Sequence, residues 1–108
     1  MLKTLWTRHL ITSDKTAIKQ IIDRLKKFKI KTYVETMKNG KLCIWTNYQD
    51  YENVRKKIKS FALSYLKLKK GVVPSCMSDG KWFIQINTKN SYEIDIKNGK
   101  YIILDYHQ

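Results

Sequence analysis

His9, Cys43, Cys76 and His107 are the side chains of this sequence suited to a soft metal ion, which holds two histidines and two cysteines in all. No two of them stand at the spacing of a zinc site, so neither a shared metal site nor any cofactor is expected. No nucleophile motif is visible. The carboxylates Glu93 and Asp95 alternate with apolar residues in "SYEIDI", as solvent-facing strand residues do. What remains is cationic chemistry. Lys15, Lys19 and Lys26 fall on a narrow stripe of one predicted helix. Arg55, Lys56, Lys59, Lys67 and Lys70 share a broad polar face of a second. Such rows can track a phosphate backbone, because each phosphate neutralised releases condensed counterions.

The charge totals sharpen this. The chain holds 22 Lys+Arg against 9 Asp+Glu, a net +13. Residues 1–71 hold 18 and 5 of them, and residues 72–108 hold 4 and 4. The whole excess therefore lies in the first part. An excess of this size works against the compact state by self-repulsion, which points to a use for it. Polyanions are the expected partners: nucleic acid first, an anionic membrane surface second, an acidic protein third. The balanced part is left to build core or to meet protein.

The elements that must position these charges are legible from periodicity. A chain of 108 residues, 43% hydrophobic, fits a single domain over 1–108 that needs no disulfide staples. Residues 2–11, "LKTLWTRHLI", read as a strand with imperfect alternation. Ser13 or Asp14 can cap a helix running to about Phe28, with Ala17, Ile18, Ile21, Ile22, Leu25 and Phe28 on one arc. "KTYVETM" at 31–37 and "LCIWTN" at 42–47 read as strands joined by a two-residue Asn39-Gly40 loop of type I′. Asn47 or Asp50 can cap a second helix that runs to about Lys70 and stops at Gly71. Leu63 and Leu66 lie inside its basic arc, either as a second buried side or as a protein-interaction patch. Beyond Gly71, "VVPSCM", "KWFIQIN", "SYEIDI" and "KYIILDY" form four strand-like segments, with Pro74 marking an edge strand or a bulge. Asn39-Gly40, Asp79-Gly80 and Asn98-Gly99, each followed by Lys, read as hairpin tips. The fold class is α+β: a β-α-β-β-α unit followed by an antiparallel β-meander, with two helices packed on one mainly antiparallel sheet.

If Leu42 and Ile44 face the helices, alternation turns Cys43 and Trp45 to the other face, where Trp6 and Arg8 can join them. Aromatic rings beside basic residues on an open sheet hold single-stranded bases in several binders. The β-α-β-β-α order resembles the RNA-recognition-motif and wider ferredoxin-like group over about the first 70 residues. "KLCIWTNY" at 41–48 has the leading Lys, an aromatic at Trp45 and Tyr48 at its last place. It lacks both glycine-type positions, and Cys43 stands where a stacking aromatic belongs. "SYEIDIKNGKYIILDYHQ" is in turn similar to the ending of ribonuclease toxins of the RelE type. That resemblance implies proton transfer by Tyr106 and His107, with Arg or Lys stabilising the charge of the transition state. The strand hairpin between the two helices departs from the toxin pattern.

No signal peptide, no span-length apolar stretch and two isolated cysteines make a cytoplasmic protein the expectation. The function expected is non-catalytic nucleic-acid binding by charge and shape. The alternatives are a phage or mobile-element inhibitor of a host nucleoprotein, in the manner of an anti-CRISPR, and the RelE-type ribonuclease toxin.

Overall fold

A computed structural model describes residues 5–77, 79–87 and 89–107. Strand β1 (Trp6–Thr12) leads into helix α1 (Lys15–Lys27), then strands β2 (Thr32–Thr36) and β3 (Leu42–Asn47). A short 3-10 turn (Tyr48–Asp50) opens helix α2 (Tyr51–Tyr65). Strands β4 (Val73–Cys76), β5 (Trp82–Gln85), β6 (Ser91–Lys97) and β7 (Lys100–His107) follow. The succession of elements is the expected one, and the fold is α+β with two helices. The single sheet is not. The described residues form two antiparallel sheets, one of order β1-β3-β2 and one of order β4-β5-β6-β7. Among the described residues no helix is long and apolar enough to cross a membrane.

The split into two sheets originates in β1. Leu10 is fully buried with φ 61°, a left-handed conformation that a branched, non-glycine residue adopts only under constraint. The pairing with β3 slips there, between His9 and Thr12, which explains the imperfect alternation of the segment. The kinked backbone turns to the second sheet. Leu10 N–H donates to Cys76 Sγ at 3.4 Å and Ile11 N–H to the Gly80 carbonyl at 2.8 Å. With those donors taken, β1 forms no strand of the second sheet, and β4 pairs with β5.

One core joins the halves. Ile18, Ile21 and Leu25 of α1, Val54, Ile58 and Phe61 of α2, and Trp82, Ile84, Ile94 and Ile96 of the second sheet belong to it. Helix α2 is the shared element, packed on α1, on the first sheet and on β4. Phe28, expected on the apolar arc, is instead 59% exposed with the Lys57 ammonium 3.5 Å above its ring.

Helix α2 ends five residues before its expected stop. Lys67 takes φ 49° and Leu68 N–H returns to the Leu63 carbonyl, a Schellman-type closure with lysine where glycine is usual. The early stop lets Leu66, Leu68 and Val72 turn back onto the core, which outweighs the left-handed lysine. Lys29 ends α1 in the same way, with φ 58° and Ile30 N–H on the Leu25 carbonyl.

Three consecutive residues tie the elements together. Asp14 is the cap of α1, accepting from Ala17 N–H at 3.0 Å. Its other oxygen accepts from the Tyr65 hydroxyl at 2.8 Å and from Gly99 N–H at 3.0 Å. Thr12 Oγ1 donates to the Ile96 carbonyl and accepts from Asp14 N–H. Ser13 donates its amide and hydroxyl to Asp95, at 3.0 and 2.6 Å, and Lys41 Nζ lies 3.4 Å from the same carboxylate. Asp95 is thus buried rather than solvent-facing, because the β1–α1 junction supplies its donors. Burial opposes ionisation of Asp14, but the amides of Gly99 and Ala17 and the Tyr65 hydroxyl outweigh it and hold its pKa below the ordinary value. Asp95 is lowered likewise, burial being outweighed by Ser13 and then Lys41. His9, stacked on Tyr51 and bonded to Thr46 Oγ1, is pushed by burial from 6.5 to about 4.

Acid stability follows from these directions. Between pH 6.5 and about 4 the unfolded chain binds a proton at His9 that the folded chain refuses, so stability falls as pH falls. Below the ordinary carboxylate range, Asp14 and Asp95 protonate and the stability from their depressed values is lost as well. Urea midpoints measured from pH 8 to 3 should decline in these two stages. His9→Gln should flatten the first stage. Asp14→Asn should lower stability at pH 7 by about 1–3 kcal/mol and flatten the second. Midpoints that track wild type at every pH would contradict both assignments.

Candidate nucleic-acid interface

The predicted site residues fall on two sides of the first sheet. On the face away from the helices, the register sets Arg8 and Tyr33 on either side of Trp45, with Trp6 opposite Asn47 and Glu35 opposite Cys43. Trp6, Arg8 and Trp45 do share this face. Arg8 holds its guanidinium 4.9 Å above the Trp45 ring and 3.6 Å from Glu35. Glu35 Oε1 also accepts from Trp45 Nε1 at 2.9 Å and from Cys43 Sγ at 3.2 Å. The Trp45 and Cys43 bonds, more than Arg8, hold the Glu35 carboxyl below its usual range. Burial and then Glu35 push the Cys43 thiol up to about 11. Trp6 leans on Tyr33, centroids 4.7 Å apart at 53°.

Tyr33 and Glu35 join this face through a turn that differs from the expected one. Gly40 N–H bonds the Met37 carbonyl and Met37 N–H the Lys41 carbonyl, with only Gly40 at positive φ. This is a three-residue loop, not the two-residue type I′ expected. The extra residue sets Tyr33, rather than Val34, beside Trp45. Met77, Gly80 and Lys81 repeat the same bonds, with Gly80 at φ 91°. Only Asn98-Gly99 is the two-residue loop, both residues at positive φ and Lys97 opposite Lys100.

On the helix side, Lys15, Lys19 and Lys26 are exposed along α1. Tyr65 meets Asp14 at the start of α1 and Lys57 meets Phe28 at its end, so the two helices run antiparallel. Arg24 lies 5.6 Å from the Phe61 ring in the same seam. These seam cations are spaced like core positions, which hid them. The face predicted on α2 is divided by its neighbours. Arg55, Lys56 and Lys59 line a cavity of about 140 Å³ with Glu52, Ser75 and Cys76, between α2 and β4. Lys67 and Lys70 are exposed but lie beyond the helix. Leu66 is 8% exposed and packs in the core, so it offers no interaction surface, while Leu63 is 46% exposed.

The other candidates do not come together. His9 is on the helix side, Cys43 on the opposite face, and Cys76 lies under Leu10 with its thiol pushed by burial to about 11. Among the described residues no three metal-type side chains form a group. Tyr106 donates its hydroxyl to Asn90 at 2.6 Å. The His107 side chain lies outside the described residues. No family model, curated protein or solved structure matches this chain. Function is therefore read from the surface itself.

Arg8 owes its position to a glycine on the other sheet. A Cβ on Gly80 would lie 2.9 Å from Arg8 Cγ and 3.0 Å from Ile11 Cγ1, whereas one on Gly40 would meet nothing. Alanine at either position carries the left-handed penalty of about 1–2 kcal/mol. Gly80→Ala should lose about 1–3 kcal/mol more than Gly40→Ala, through displacement of β1. Denaturant titration of both variants checks this, and equal losses would contradict the docking of the turn on Arg8.

Proposed function

We propose that the protein binds nucleic acid without cleaving it, through backbone phosphates on its helix side. The observation that carries the reading is the cavity where Arg55, Lys56 and Lys59 converge on Ser75. Its one carboxylate, Glu52, leaves an excess of two positive charges over a space that admits a phosphate group. Among the described residues, the ion pairs of Arg8, Lys41 and Lys81 involve none of the cations of this cavity or of the α1 stripe. Lys15, Lys19 and Lys26 extend the positive field along α1. Order β1-β3-β2 beneath two helices is the ferredoxin-like arrangement without its last strand, which supports the kinship read from the element order. The open face is the weaker surface. Glu35 places a carboxylate at its centre, and Arg8 already covers Trp45, so only Tyr33 and Trp6 remain to stack on a base.

Fluorescence anisotropy with labelled RNA and DNA of one and two strands tests the proposal. Binding should weaken steeply with salt, with a log–log slope of about −3 to −5 for roughly 4 to 6 phosphates. The triple variant Arg55→Gln, Lys56→Gln, Lys59→Gln should bind several-fold more weakly and flatten that slope. The variant Lys81→Gln, Lys89→Gln, Lys97→Gln removes the same charge and should change little. Equal losses would mean diffuse attraction. No binding to either polymer at low salt would transfer the surface to an acidic or nucleoprotein host target. The labelled RNA should remain intact, and cleavage abolished by Tyr106→Phe and His107→Ala would establish the ribonuclease instead.

A further inference from the structure

Among the described residues, nothing covers the outer edge of strand β7. The strand ends the second sheet, and residues 101–106 are all exposed. Tyr101, Ile102, Ile103, Leu104 and Tyr106 each expose 40–52% of their surface. Five large apolar side chains on one edge, spread over both faces, are what a strand awaiting a partner presents. Natural edges are blunted by proline or by dense charge. The opposite edge is so treated: β4 carries Pro74, which has no N–H to offer. Strand β7 has no proline.

We propose that β7 pairs antiparallel with β7 of a second copy, about a two-fold axis at Ile102, joining the two sheets into one. The register of β7 on β6 supports this occupant. Lys97 is opposite Lys100, Asp95 opposite Ile102, and Glu93 opposite Asp105, so Lys100, Ile102 and Asp105 share one face. Ile96 is opposite Tyr101 and Ile94 opposite Ile103, so these two share the other. Leu104 is the extra residue where the register shifts. A two-fold pairing requires that residues opposite each other point to the same side. With Ile102 against the partner's Ile102, Tyr101 meets the partner's Ile103 and Lys100 meets the partner's Asp105. Each contact occurs twice. An aromatic faces a β-branched residue, and a cation faces an anion, in cross-strand pairs that stabilise a sheet. Without the extra residue at Leu104, Asp105 would point to the face opposite Lys100 and no such pair would form.

Charge permits this approach. Residues 72–108 hold 4 cationic and 4 anionic side chains, so two copies meet through their balanced halves and not through the +13 half. The association also closes. Each β7 is used once, and Pro74 blocks growth at the far edge, so a dimer and not a fibre results.

Sedimentation equilibrium of the full chain tests the pairing. At about 100 µM, a dimer of micromolar Kd should move the mass from 12.9 kDa towards twice that value. Ile102→Lys sets two ammonium groups against each other at the axis and should leave a monomer with an unchanged circular dichroism spectrum. Lys100→Asp and Asp105→Lys should each weaken association about 5-fold or more, and the two together should restore it. A wild-type mass that stays at 12.9 kDa overturns the proposal, as does a dimer indifferent to Ile102→Lys. A double exchange that fails to restore association, or a mass that grows past the dimer, overturns it equally.

Discussion

Everything in this molecule hangs on the carboxylate of Asp14. It holds the first turn of α1, the last turn of α2 through Tyr65, and the tip of the β6–β7 hairpin through Gly99. Hydrogen bonds to an ionised group contribute about 1.5–3 kcal/mol each, against a whole-fold stability of order 5–15 kcal/mol. The loss of about 1–3 kcal/mol expected for Asp14→Asn is already a sizeable share of what separates folded from unfolded. The geometry of these bonds matters as much as their energy. They fix where α2 stands between the two sheets, and the basic cavity is the gap between α2 and β4.

The second constraint is the kink at Leu10. A straight β1 would offer its free edge to a further strand and allow one continuous sheet. The left-handed residue instead sends the backbone to Cys76 and Gly80. The meander folds as its own sheet and clamps the kink from outside. Strain at Leu10 is thereby offset by the bonds of two amides, one to the Cys76 thiol and one to the Gly80 carbonyl, and by a fully buried side chain.

What the sequence discloses is local. The helix arcs, the strand segments, the cap at Asp14 and the facing of Trp6, Arg8 and Trp45 all depend on periods of a few residues, and these were legible. What it hides depends on partners far away in the chain. Asp95 alternates like a surface residue, yet Ser13, 82 positions earlier, draws it inside. Gly71 looks like the stop of α2, yet the pull of Leu66, Leu68 and Val72 onto the core stops it at Tyr65. Two turns written with the same Asn-Gly-Lys letters differ by one loop residue, because the pairing of their strands decides the loop. That one residue determines whether Tyr33 or Val34 accompanies Trp45. Composition also understates the imbalance of charge. Glu35 counts among the five acids of residues 1–71, yet it lies on the open face beside Arg8 and neutralises nothing on the helix side.

The bond from Thr12 to the Ile96 carbonyl spans 84 positions of the chain. During synthesis the chain emerges from its amino end, at about 5–20 residues per second, so roughly 4 to 14 s separate Lys27, the end of α1, from Gly99, which completes the ligation of Asp14. Of the partners of Asp14, the amide of Ala17 is made first; the Tyr65 hydroxyl follows 51 positions after Asp14 and the amide of Gly99 85 positions after it. The basic half is the part that waits. The last hairpin is therefore the step that completes the ligation of Asp14.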